Sequence, residues 1–146
     1  MTRGDEIVTL ARGWIGTPYR HQASVKGAGA DCLGLIRGIW REAVGDEPIT
    51  LPAYTPDWGE ARGAELLMQG AMAHLRPVAP GTEAPGDVIL FRMRKGAVAK
   101  HLGLLSVTGA APRFIHAYSG HAVLENALTP PWQRRIVAYF RFPERR

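Results

Sequence analysis

The spacing of apolar residues changes character once, at Pro85-Gly86-Asp87, and that change divides the chain into two kinds of structure. Before it, apolar residues recur with helical period. Ile7, Leu10, Ala11, Trp14 and Ile15 form a first stripe, which Gly16-Thr17-Pro18 ends. Cys32, Leu35, Ile36, Ile39, Trp40 and Ala43 recur at i, i+3, i+4, i+7, i+8 and i+11, giving a second helix that closes near Gly45-Asp46. Ala61, Ala64, Met68, Ala71, Met72 and Leu75 mark a third. After Pro85-Gly86-Asp87, the segments 88–91, 102–107, 113–118, 122–126 and 136–142 read as strands, with Gly96, Gly109 and Gly120 in the gaps where turns need them. Segments 19–30 and 77–85 read as loops and 48–56 as an extended connection. Helices first and consecutive strands second predict an α+β fold with an antiparallel sheet of about five strands. No repeat, low-complexity tract or linker interrupts the 146 residues, so residues 1–146 read as a single domain with one core.

Composition narrows the class. Apolar residues make up 46% and charged residues 21%, as in soluble globular proteins. A single cysteine excludes an intrachain disulfide framework and a cysteine-rich zinc site. The start, Met1-Thr2-Arg3-Gly4-Asp5-Glu6, is polar and acidic, unlike a signal peptide, and no apolar run approaches membrane-spanning length. The expectation is a protein made in the cytoplasm without an export signal and not inserted in a membrane. The net charge is +5, with Arg134, Arg135, Arg141, Arg145 and Arg146 near the C-terminus. Without a Lys/Arg run or interleaved aromatics, this reads as a solvated basic face, not a nucleic-acid surface.

Cys32 carries the chemistry. It stands where the glycine-rich Gly27-Ala28-Gly29-Ala30 gives way to the second helix. A thiol at a helix N-terminus meets unpaired N–H groups and the positive end of the helix dipole, both of which favour the nucleophilic thiolate. Asp31 is positioned to cap that helix, although its charge opposes thiolate formation. Of the five histidines, His101 starts one strand and His116 lies within the next, and alternation puts His116 on one face with Phe114 and Tyr118. Paired as a hairpin, the two strands would bring the imidazoles together. A thiol, a base and a group holding that base form a nucleophilic triad, here Cys32, His101 and His116. A metal site pooling His101, His116 and His121 is the weaker reading, because compact zinc-ligand spacing is missing. His21, His74 and His121 read as structural or simply exposed.

Taken in order, Gly16-Thr17-Pro18-Tyr19-Arg20, Asp31-Cys32-Leu33-Gly34-Leu35-Ile36, Pro85-Gly86-Asp87-Val88-Ile89-Leu90-Phe91, His101-Leu102-Gly103-Leu104 and Phe114-Ile115-His116-Ala117 resemble the NlpC-type cell-wall cysteine peptidases. The blocks span most of the chain and are specific together, though each is weak alone. Tyr19-Arg20-His21-Gln22-Ala23-Ser24 and Gly27-Ala28-Gly29 look most like the branch carried in the tails of phages and gene transfer agents. One departure is Leu33, where many members have Ser directly after the cysteine.

The resemblance implies a papain-like fold, in which a helical part bearing Cys32 packs on a sheet bearing the histidines. It implies a peptidoglycan hydrolase that cuts stem peptides, commonly between D-γ-glutamate and a diamino acid. Cys32 would be the nucleophile, ion-paired as thiolate with an imidazolium His101. His101 would be the general base, and His116 would orient it. Tyr19 would contact substrate or oxyanion, and Asp31 would bind the free amine of a stem peptide. No metal or organic cofactor is implied. The implied partners are peptidoglycan stem peptides and tail or baseplate proteins, with the segment 51–58 as one docking candidate and the periplasmic wall as the place of action. Two other classes share the scaffold: a structural tail-tip protein with little activity, and an amidase or acyltransferase acting on a different amide.

Overall fold

The structure is a computed structural model that describes residues 1–48 and 66–145. Helix α1 runs Arg3–Arg12. It opens on a capping box: the Asp5 N–H donates to the Thr2 hydroxyl (3.1 Å) and the Thr2 N–H donates to the Asp5 carboxylate (3.0 Å). The helix stops one turn earlier than its stripe predicts. Trp14 still turns inward at 2% exposure, but Ile15 is 45% exposed and does not belong to the buried face. Helix α2 runs Cys32–Ala43 and helix α3 Leu66–His74. Ala61 and Ala64, the connection 49–56 and the segment 51–58 lie outside the described residues.

Between α1 and α2 the segment 19–30 is not wholly loop. Strands β1 (Ser24–Val25) and β2 (Gly29–Ala30) form a small antiparallel hairpin. The main sheet has six strands, one more than expected: β3 (Arg76–Val78), β4 (Val88–Arg92), β5 (Ala99–Val107), β6 (Arg113–His116), β7 (Leu124–Ala127) and β8 (Ile136–Arg141). Its order is β3-β8-β4-β5-β6-β7 and every pairing is antiparallel. The additional strand, β3, contains Pro77 and lies within what reads as the end of α3 and a loop. At the sheet edge a proline is tolerated, because one side of the strand needs no ladder donor. A short helix, α4 (Pro130–Gln133), leads into β8.

The helices cover one face of the sheet. Val88, Leu90, Leu102, Leu104, Ile115 and Phe140 meet Ile7, Trp14, Leu35, Ile39 and Trp40 in the larger core. Each such side chain taken fully out of water contributes about 1.5–3 kcal/mol. The opposite face carries a second cluster of Ile89, Phe91, Leu105, Phe114 and Leu128, against which Trp132 of α4 packs. Helices α1 and α2 meet where Gly38 leaves room for the Trp14 ring, whose indole N–H donates to Glu42 (2.6 Å). Part of the expected basic face is spent internally. Arg141 forms a two-pronged ion pair with the buried Asp87 (2.8 Å each), which satisfies a carboxylate that burial would otherwise penalise. Arg145 donates to the Glu42 carbonyl (2.9 Å).

Candidate active site

Asp31 is extended (φ −96°, ψ −174°) and its carboxylate accepts the Gly34 N–H at 2.7 Å, so α2 begins at Cys32 as its N-cap predicts. The same first turn is clamped from outside. Gly34 allows the Ala23 carbonyl to abut the helix, and the Ser24 hydroxyl donates to the Gly34 carbonyl (2.6 Å). The β1–β2 hairpin thereby fixes the helix start that carries the cysteine.

The Cys32 sulfur rests against β5. It lies 3.9 Å from the Lys100 carbonyl and interacts with the Leu102 N–H, so its partners are the two residues flanking His101. Burial, and then the Asp31 charge, push the thiol up to about 12, outweighing the backbone N–H groups of Leu102, Leu33 and Cys32 itself. The helix start therefore does not yield a resting thiolate as expected: desolvation and a neighbouring carboxylate win over the end of the helix.

His101 and His116 come together as strand pairing predicts. Strands β5 and β6 are antiparallel neighbours, and His101 Nε2 lies 2.8 Å from His116 Nδ1. Both rings are buried, at 6% and 1% exposure. Gly103 lies beside the aromatic rings that pack on the histidines: a Cβ there would stand 2.9 Å from the Phe114 ring and 3.3 Å from that of Phe91, so a side chain would crowd them. Burial, then the neighbouring His116, hold His101 down to about 3. Burial holds His116 down to about 4, with an Asn126 hydrogen bond opposing it and His121 adding to it. Both imidazoles are neutral at pH 7, so the expected imidazolium is not the resting form either.

Two residues of this site were not read from the sequence. Asn126 Oδ1 lies 2.8 Å from His116 Nε2, which extends the histidine pair by one more polar group. Trp132 lies with its ring 5.8 Å from that of His101 and 5.2 Å from that of His116, against the His–His bond. Strand alternation between β6 and β7 was the available signal for Asn126; nothing in the sequence pointed to Trp132. His121 stacks on Tyr118 (5.7 Å, 11°), and among the described residues no three His, Cys, Asp or Glu side chains converge on a metal site.

Tyr19 is tied to the chain just before Cys32. It bridges in parallel to Ala30, and the Ala30 N–H donates to the Pro18 carbonyl (3.0 Å). Burial, then the charges of Cys32 and Asp31, raise its phenol above the ordinary value, which sets the ring beside both. Asp31 is only 3% exposed. Its second oxygen accepts the Gln22 N–H at 2.7 Å, and His21 Nδ1 stands 3.7 Å away. Gln22 holds a left-handed backbone (φ 67°), so this carboxylate also secures a strained turn three residues after Tyr19.

Known proteins are similar to this chain in sequence and in fold. The chain is 31% identical over 137 residues to the gamma-DL-glutamyl hydrolase of Bacillus subtilis strain 168, covering 93% of this chain and 29% of that protein. Its fold is similar to that of the NlpC/p60 domain of the peptidoglycan hydrolase SagA (TM-score 0.60, 19% identity, 94% of this chain and 97% of that one). It is also similar to that of an NlpC/P60 family protein from Bacillus cereus (TM-score 0.63, 20% identity, 95% of this chain and 40% of that one). The chain thus spans less than a third of the B. subtilis hydrolase and nearly all of the SagA domain. Residues 16–141, which include Tyr19, Cys32, both buried histidines and Asn126, match the NlpC/P60 family, and the chain belongs to that family.

Proposed function

We propose that this protein is a cysteine peptidase that hydrolyses the stem peptides of peptidoglycan. The observation that carries the reading is the juxtaposition on β5: the Cys32 sulfur sits against Lys100 and Leu102, and the residue between them, His101, is bonded to His116. Family membership and the likeness to a glutamyl hydrolase and a peptidoglycan hydrolase support it.

The neutral resting pair sets the mechanism. His101 takes the thiol proton as Cys32 attacks the scissile carbonyl, so general-base assistance replaces a preformed ion pair. The N–H groups of Cys32 and Leu33 that open α2, with Tyr19 beside them, face the developing oxyanion. His101 then hands the proton to the leaving amine, and water hydrolyses the thioester by the reverse assistance. His116 holds the His101 ring through its far nitrogen. Each of these steps is carried by the chain's own side chains and backbone.

The preferred bond is the one between D-γ-glutamate and a diamino acid, as the motif resemblance implies; the B. subtilis relative is a gamma-DL-glutamyl hydrolase. The resemblance of residues 19–24 and 27–29 to phage and gene-transfer-agent proteins supports a place in a tail, assembled in the cytoplasm and acting on the periplasmic wall. Digestion of purified peptidoglycan, followed by mass analysis of the fragments, tests the activity. The wild type should release cleaved stem peptides and Cys32→Ala none, with an unchanged melting curve. Equal release by a folded Cys32→Ala protein would refute the assignment.

A further inference from the structure

The hydrogen bonds beyond His101 have a direction, and the group that sets it is Asn126. Leu124 lies opposite His116 in the β6–β7 register, so Asn126, two residues on, shares the face of His116. Three groups then stand in line: His101 Nε2 to His116 Nδ1 at 2.8 Å, and His116 Nε2 to Asn126 Oδ1 at 2.8 Å. In a neutral imidazole one nitrogen carries hydrogen and the other a lone pair. The line therefore has two consistent proton arrangements. With the amide oxygen facing His116, His116 donates from Nε2 and accepts at Nδ1. His101 must then donate from Nε2, which leaves its Nδ1 bare. With the amide nitrogen facing His116, every proton moves to the other side, and His101 Nδ1 carries a hydrogen. Only the first arrangement lets His101 accept the proton of Cys32.

We propose that Asn126 is a positioning residue, whose carboxamide oxygen holds His116 and, through it, His101 as Nε2–H tautomers so that His101 Nδ1 is the base. Both rings are neutral at pH 7 and sequestered from water, so no solvent contact sets the tautomer in its place. Trp132 and Phe114, whose rings lie 5.2 Å and 4.2 Å from that of His116, offer no competing acceptor for its Nε2 hydrogen. The inference deepens the Cys32–His101 assignment and rests on it for its effect on turnover, but the tautomers themselves can be read without any substrate.

The experiment is 15N NMR of histidine-labelled protein at pH 7, paired with steady-state kinetics on a soluble stem peptide. In the wild type both His101 and His116 should show the Nε2–H signature. Asn126→Asp presents only acceptor oxygens and should preserve both signatures. Asn126→Leu removes the acceptor, and leaving a buried N–H unbonded should shift the population toward Nδ1–H. The kcat should fall roughly tenfold to a hundredfold with KM unchanged. Asn126→Asp should retain the tautomers even if Asn126→Leu folds poorly. A wild-type His101 carrying its hydrogen on Nδ1 would overturn the proposal while leaving Cys32 catalysis standing. So would an Asn126→Leu protein with unchanged signatures and kcat. A wild type inert toward the wall but with both Nε2–H signatures present would instead count against the peptidase reading alone.

Discussion

Replacing Asp31 by Asn separates the structural work of this carboxylate from its charge. Its two oxygens accept the Gly34 N–H and the Gln22 N–H, each at 2.7 Å, in a site only 3% exposed. An asparagine can keep its oxygen on Gly34, since Asn caps helices as well as Asp does. It must then turn its amide nitrogen toward the Gln22 N–H, so one buried, charge-assisted hydrogen bond is lost and a donor is left facing a donor. That loss costs about 1–3 kcal/mol. In a domain of this size it corresponds to a fall in melting temperature of roughly 3–10 °C. The Gln22 turn, held in a left-handed conformation, should loosen first. The opposite effect is expected at the sulfur. Asp31 is the charge that raises the Cys32 thiol beyond what burial does, so its removal lowers that value, and each unit gives about tenfold more thiolate. Thermal melting and iodoacetamide alkylation at pH 8 should show a less stable protein with a faster-reacting thiol. If Asp31 also takes the ammonium of a free stem peptide, KM for that substrate should rise while intact-wall cleavage changes less. An Asp31→Asn protein with wild-type melting and wild-type alkylation would refute the account of this residue.

Acid should unfold the protein earlier than its carboxylates alone would. His101 and His116 are held near 3 and 4 when folded against 6.5 when unfolded, so the unfolded chain binds more protons below pH 6.5 and stability falls with pH from there. The two together should cost roughly 4 kcal/mol between pH 7 and pH 5, and a flat melting temperature over that window would refute it. Gly38→Ala would drive a methyl group into the Trp14 ring and should destabilise by about 1–3 kcal/mol, read as a lower urea midpoint; an unchanged midpoint would show that α1 and α2 can separate freely.

The helix start, the helical and strand halves and the histidine pair were legible because each rests on local periodicity or on one adjacent strand pairing. Cys32 is the first residue of α2, and β4, β6 and β8 lie within a few residues of their expected bounds. What was hidden depends on neighbours distant in sequence. The Arg76-Pro77-Val78 segment is a strand only because β8 lies beside it, with Pro77 opposite Phe140. Strand β5 begins at Ala99, two residues before its expected start at His101. Asn126 stands in a polar segment whose role appears only with the β6–β7 register. The protonation state was hidden for a similar reason: a helix N-terminus is local, whereas the burial that overrides it comes with β5 packed on Cys32.

The proposed nucleophile belongs to a helix of the first half of the chain and its proposed base to a strand of the second, and the Cys32 sulfur reaches that strand where α2 docks on β5. If the proposed mechanism holds, turnover is a property of that seam and gauges how tightly the two layers are pressed together. A partner protein, a ligand or a mild denaturant that parts the seam by a fraction of a bond length would then silence the proposed peptidase with every helix and strand still formed. Anything that clamps the layers would raise activity without touching a reacting group.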